Sequence, residues 1–179
     1  MHPSIFFPYF PNFVSSAEDF IESYNHWSGA IVLTSDTSSG SLIKKGPLWK
    51  YKLNNFDSNH LLDGLTQLVR SYYLAGAEEI MVSSSPTMHW KKSKNDDIEK
   101  FLNKILSIKN QPYRLLLGSA HQMGTARINP NPEHGVVDLN GKVHGLENVY
   151  IVDASTFPRC SGVNPMISIQ SMSHFLMSN

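Results

Sequence analysis

Tyr150-Ile151-Val152-Asp153-Ala154-Ser155-Thr156-Phe157-Pro158, followed by Gly162-Val163-Asn164-Pro165-Met166-Ile167-Ser168-Ile169, is the stretch around which the chain is organised. The first half is a short apolar run ending in a carboxylate. That is the pattern of a buried strand that delivers Asp153 at its end. The second half is a helix start. Asn164 is a preferred N-cap, and Pro165 suits the first helical position, where no N–H is required. Ile169, Met172 and Leu176 then recur at helical spacing. The free N–H groups of such a start carry partial positive charge and favour anions or electron-rich oxygens.

Outward from this stretch, the next informative run is Gly118-Ser119-Ala120-His121-Gln122-Met123-Gly124-Thr125, after the apolar Leu115-Leu116-Leu117. Small neighbours let a ligand approach a polar group closely. On these residues alone, His121 reads either as a proton acceptor or as a histidine held structurally by hydrogen bonds. Brought together by the fold, His121 and Asn164 would supply an acceptor and a donor at one site.

The composition bounds the answer. The chain has 179 residues, 41% of them hydrophobic and 17% charged, with zero formal net charge. That is the make-up of a globular protein able to bury one full core. The charge balance gives no pointer to nucleic acid or an anionic membrane. The single cysteine, Cys160, excludes an intrachain disulfide and a multi-cysteine metal site. No apolar run is long enough to span a bilayer. Met1 to Phe13 is aromatic and proline-rich, without the basic and apolar regions of a signal peptide. Localisation stays unknown at this level.

Read in order, residues 1–14 are too proline-rich for a helix. Ser15-Ser16-Ala17-Glu18 has the form of a capping box leading a helix with Phe20, Ile21, Tyr24 and Trp27 on one face. Ala30 to Thr34 reads as an apolar strand, with a turn at 36–40 and a return at 41–44. Trp49, Tyr51 and Leu53 alternate with lysines as a half-buried strand. Leu61, Leu65, Leu68, Val69 and Tyr72 predict an amphipathic helix from Asn55 to near Gly76. Ile80 to Val82 is a strand, and 83–95 reads as an exposed polar loop. Asp96 and Asp97 open a helix with Ile98, Phe101, Leu102 and Ile105. Arg114 to Leu117 is a strand. Asn140-Gly141 is a two-residue hairpin signal between 136–139 and 142–144. The class is α+β: an antiparallel sheet with helices, then a closing strand–helix segment.

His-Gln-Met-Gly-Thr at 121–125, Gly135-Val136-Val137-Asp138, Val152-Asp153-Ala154-Ser155 and Gly162-Val163-Asn164-Pro165-Met166 stand in an order and spacing that resembles the C-terminal end of the glucose–methanol–choline (GMC) oxidoreductases. These are flavin-dependent alcohol oxidases and dehydrogenases. Val32 to Asp36, Ser39-Gly40, and Leu65 through Ala75-Gly76-Ala77-Glu78 resemble the long-chain fatty alcohol oxidase branch. Two positions depart from it. Ser35 stands where that branch usually has arginine, and Ala126-Arg127-Ile128 where the family often has Cys-Arg-Met.

The resemblance implies FAD as cofactor and an alcohol, most simply a long-chain one, as substrate. Sterols, aromatic alcohols and sugars are the alternatives. It implies His121 as the proton acceptor and Asn164 in the position that the family fills with histidine or asparagine. Asp153 and Ala154 would contact the ribityl and diphosphate portion. Asn164, Pro165 and Met166 would meet the flavin ring. It divides the chain into a lead segment at 1–14, a substrate-side domain at 15–120, and an active-site and closing segment at 121–179 that would complete an FAD-binding domain.

The chain holds no Gly-x-Gly, which the dinucleotide pyrophosphate needs for its turn. The expectation is therefore a C-terminal portion whose partner is a separate N-terminal FAD-binding portion. Any membrane association would run through that portion. The alternative is a truncated, non-catalytic chain acting only as a binding module. His134 and His144 read as exposed hairpin residues, and the other histidines share no metal-ligand spacing. No metal site is expected.

Overall fold

The computed structural model describes residues 22–43, 49–109, 111 and 114–178. The chain divides into two compact units at the Leu117–Gly118 junction. The lead segment at 1–14, the expected capping box at 15–18, the start of the helix it leads and the last residue of the return at 41–44 lie outside the described residues. Tyr24–His26 forms a single 3-10 turn.

In the first unit, strands β1 (Ser41–Leu42) and β2 (Trp49–Lys50) pair antiparallel. Helix α1 (Asn55–Leu74) follows, then the antiparallel hairpin β3 (Glu79–Val82) and β4 (Met88–Lys91), then helix α2 (Ile98–Leu106). Both helices start where a short polar side chain can accept from free first-turn N–H groups. Asn54 accepts from Asp57 N–H at 2.8 Å, and Asp97 accepts from the N–H groups of Glu99 and Lys100.

The core lies where the two helices meet the hairpin. Leu62 and Val69 of α1 join Ile80, Val82, Met88 and Trp90 of the hairpin and Phe101, Leu102 and Ile105 of α2. The strand β4 corrects the expected exposed loop at 83–95. Met88 and Trp90 are buried and alternate with His89 and Lys91, a period-2 pattern that the surrounding serines and lysines obscured. Trp90 is held at both ends. Its indole N–H donates to Asp96 C=O at 2.8 Å, and Tyr73 meets its ring edge-on at 5.4 Å.

Other expected strands do not form ladders. Among the described residues, 30–34 pair with no strand, and Arg114 to Leu117 contributes one bridge, Leu115 to Ser84. Beyond Trp49–Lys50, the alternation at 51–53 has no strand partner among the described residues. A two-residue run with a Lys-rich continuation has too few cross-strand partners to extend.

Asp57 fixes this unit's entry. It sits in the first turn of α1 with 1% of its surface exposed. Its two carboxylate oxygens accept from the N–H and hydroxyl of both Thr37 and Ser38, at 2.5–3.1 Å. Burial works to raise this carboxyl, but the bonds from Ser38 and Thr37 outweigh it and hold it below the usual carboxylate range.

Among its described residues, the second unit is built from short bridges, a 3-10 turn and one α-helix, α3 (Met166–Ser178). The expected strand at 150–153 is one bridge, Tyr150 to Lys142, followed by irregular backbone. Tyr150 is 55% exposed, so no buried strand ends at Asp153. The hairpin at 136–144 also differs from its expected two-residue loop. Asp138 N–H donates to Lys142 C=O, Gly141 N–H donates to Asp138 C=O, and Gly141 has φ +78°. That is a three-residue loop with a left-handed glycine. The Asp138 carboxylate favours it by accepting from the N–H groups of Asn140 and Lys142.

Val137 is fully buried at the centre of this unit. Gly135 beside it has no room for a side chain, since an added Cβ would lie 2.5 Å from Asn129 Cβ and 2.7 Å from Arg127 C=O. Gly135→Ala therefore destabilises the second unit by about 1–3 kcal/mol, the usual range for overpacking. Urea unfolding followed by a probe in residues 118–178 reads it. A change within about 0.5 kcal/mol contradicts the packing described.

Candidate functional site

The irregular segment 150–157 is the frame of the site. Ala126 N–H donates to Ser155 C=O and Ile128 N–H to Thr156 C=O, both at 2.9 Å. These bonds tie the segment after His121 to the turn after Asp153. From the other side, Ser173 of α3 donates its hydroxyl to Val152 C=O. Gly141 packs against the same region, with Ile151 N–H donating to its C=O at 2.9 Å. Two runs far apart in sequence thus reach one place because each is bonded to 151–157.

The chain then turns into α3 through Gly162, with φ +70°, and Ser161 donates its hydroxyl to Val163 C=O. The first intrahelical bond runs from Ile169 N–H to Pro165 C=O at 2.8 Å. Pro165 rather than Asn164 therefore holds the cap position, one residue later than expected. Proline fits either place, because its missing N–H has no helical acceptor at a helix start. The N–H groups of Met166, Ile167 and Ser168 precede this first bond.

His121, Ala154, Asn164, Pro165 and Met166 line a single open cleft of about 420 Å³ in the second unit. Asp153 does not. Its carboxylate caps the 3-10 turn Ala154–Thr156 by accepting from Ser155 N–H and hydroxyl. Those two bonds hold it below the usual carboxylate range against a smaller opposing effect of burial.

The cleft also contains residues that the sequence reading did not assign to the site: Ala120, Gln122, Met123, Ile169 and Gln170. Their signal was positional. Gln122 and Met123 adjoin His121. Ile169 and Gln170 lie three and four residues after Met166, on the same helix face. Gln122 has a further role, donating its amide to Ser119 C=O at 2.6 Å across His121.

No lining residue of the cleft carries a full charge, leaving aside protonation of His121. His121 and Asn164 are both exposed to it, and among the described residues neither side chain has a hydrogen-bond partner. A buried or half-buried histidine retained for structure is normally hydrogen-bonded within the protein. His144 is such a case: it is half-buried and bonded to Asn129 C=O at 2.9 Å, not exposed as expected. An imidazole and an amide free in one neutral, largely apolar cleft can accept a proton from a neutral hydroxyl and donate to its oxygen. Among the described residues, no group of three or more His, Cys, Asp or Glu side chains is arranged to hold a metal. None of their helices is long and apolar enough to cross a membrane.

Comparison with known proteins agrees in kind. The chain is 30% identical to the long-chain-alcohol oxidase FAO4A of Arabidopsis thaliana, over 100% of this chain and 25% of that protein. It is 31% identical to FAO3 of the same plant, over 84% of the chain and 21% of the relative. FAO1 is 34% identical over 73% and 18%. This chain thus spans about a quarter or less of the relatives it matches. In fold it is similar to the solved pyridoxine 4-oxidase from Mesorbium loti, with a TM-score of 0.50 and 17% identity, covering 81% of this chain and 28% of that one. The GMC oxidoreductases are an enzyme class acting on alcohols and are generally flavoproteins. Their family profile matches residues 28–173, and on that match the chain belongs to the GMC oxidoreductase family.

Proposed function

We propose that this chain is the C-terminal portion of an FAD-dependent enzyme that oxidises a long-chain alcohol to its aldehyde, with the cleft at the start of α3 as its reacting end. The observation that carries this reading is the juxtaposition of His121 and Asn164, both without partners among the described residues, in one uncharged cleft. The long-chain alcohol is favoured because the curated relatives named above are long-chain-alcohol oxidases.

The residues present fit the ring end of a flavin. Ala154, Pro165, Met166 and Ile169 offer apolar surface, and the cleft volume lies within the roughly 300–1,000 Å³ usual for cofactor sites. The first-turn N–H groups of α3 would stabilise negative charge on a ring edge. The pyrophosphate end has no counterpart here, since the chain contains no Gly-x-Gly. It would be held by the portion of the longer protein outside this chain.

A bound flavin would supply the hydride acceptor for the carbinol carbon. The work of this chain is the proton and the oxygen. His121 accepts the hydroxyl proton at an imidazole nitrogen, the commonest side-chain role in general acid–base catalysis. Asn164 donates its amide N–H to the oxygen as negative charge builds there. Ala120 and Ala154 keep the approach open. Met123 and Ile169 exclude water from the apolar side.

Asn164→Ala removes one such donor and lowers kcat by about 10²–10³. Steady-state turnover per bound flavin reads it, and a change below about threefold sinks the assignment. The wider reading is tested by titrating FAD into the 179-residue chain and into the longer protein, following absorbance and fluorescence quenching. Binding only in the longer protein is the expected result. Saturable micromolar binding by the chain alone would show a pyrophosphate site without the glycine-rich turn, contrary to this account. Binding in neither would favour a non-catalytic module.

A further inference from the structure

We infer that residues 28–36 are an open strand edge, which pairs with a β-strand from the portion of the longer protein outside this chain. This segment is a strap along α1. Ser28 hydroxyl meets Tyr72 hydroxyl at 3.2 Å, near the end of α1. Val32 lies against Gly64 so closely that an added Cβ there would be 2.6 Å from Val32 Cγ1. Thr37 then binds Asp57 in the first turn. From Tyr72 to Asp57 the helix axis runs about 22 Å, given 1.5 Å per residue. The strap covers it between Ser28 and Thr37, at about 2.5 Å per residue, which requires a largely extended chain.

Its side chains alternate as a strand's do. Val32, Thr34 and Asp36 are half-buried, and Ile31, Leu33 and Ser35 are exposed. Two large apolar residues thus share the outward face, Ile31 at 78% and Leu33 at 77% exposed. Among the described residues, no backbone N–H or C=O of 28–36 has a hydrogen-bond partner. A row of unpaired backbone groups beside branched apolar side chains is a template for another strand.

The helix side is closed by Gly64, so the free edges and the outward face are what remain to be covered. The occupant is set by the chain's share of its relatives. It spans 25% of one and 21% of another, leaving most of each such protein to supply the missing strand. This inference rests on the reading that the chain works as part of a longer protein.

Amide hydrogen exchange on peptides covering 28–36 tests it, in the 179-residue chain and in the longer protein, with no flavin or alcohol added. Exchange in the chain alone is expected to be fast. In the longer protein it slows by about a hundredfold or more, as for an amide released only by local opening. A double variant, Ile31→Lys with Leu33→Lys, removes that protection and leaves the thermal unfolding of the chain alone unchanged, because both side chains point outward. Equal exchange in both proteins overturns the proposal. So does protection that grows with the concentration of the chain alone, which would mean pairing between copies. Because no turnover is read, loss of the alcohol chemistry would leave the exchange result standing, and the reverse also holds.

Discussion

His121→Ala is expected to lower kcat for alcohol oxidation by about 10²–10⁴, the usual contribution of a positioned acid–base group. Flavin content per chain is expected to stay at the wild-type level. The two readouts separate the roles open to a histidine in this place. A histidine that holds the loop would, when removed, loosen the site and release cofactor. His121 has no hydrogen-bond partner among the described residues to lose. The loop around it is fixed by other bonds, Gln122 amide to Ser119 C=O and Ala126 N–H to Ser155 C=O. Its removal therefore takes away a proton acceptor and leaves the frame. Flavin lost with turnover per flavin unchanged would end the proton-acceptor assignment.

The largest expected effect on stability is at Asp57. Asp57→Ala leaves the N–H and hydroxyl groups of Thr37 and Ser38 without their acceptor. The cost is roughly 3–5 kcal/mol, from the loss of several hydrogen bonds to one buried charged group. It falls on the first unit and frees the strap from the N-terminal end of α1. Urea unfolding followed by Trp90 fluorescence measures it, and a loss under about 1 kcal/mol contradicts the role given to this carboxylate.

The same group gives a pH dependence. Its folded pKa lies below the ordinary value of about 3.9, so its contribution is present above that value. It is lost as pH falls through the lower, folded value. Asp57→Asn keeps the shape but titrates nowhere in this range, so its acid slope of stability is shallower than wild type.

Where a residue's local signal and its tertiary role coincide, the sequence was readable. α1 and α2 were legible because their apolar spacing agrees with a polar start, at Asn55 for α1 and at Asp96 and Asp97 for α2, although the cap of α1 proved to be Asn54. β4 was not, because Met88 and Trp90 sit among serines and lysines, and average polarity hid a two-residue period. The strand reading of 30–34 rested on an apolar run and finds no ladder among the described residues, since pairing depends on a partner that an apolar run cannot name. At 150–153 an apolar run served as a frame for hydrogen bonds instead of a strand.

In the site, His121 and Asn164 stood out because unlike motifs met at a fixed order. Gln170 and Ile169 did not, because a residue on a helix face gains meaning only when the cleft beside it is known. The Pro165 cap was missed by one residue because proline satisfies both positions equally.

The most direct test of the central claim is anaerobic mixing of the flavin-loaded longer protein with a long-chain primary alcohol, followed by flavin absorbance in a stopped-flow instrument. The account predicts that the oxidised flavin bleaches in a single turnover, more slowly with alcohol deuterated at the carbinol carbon, and far more slowly still in His121→Ala. A protein that holds flavin at wild-type stoichiometry yet is bleached by no alcohol would contradict it.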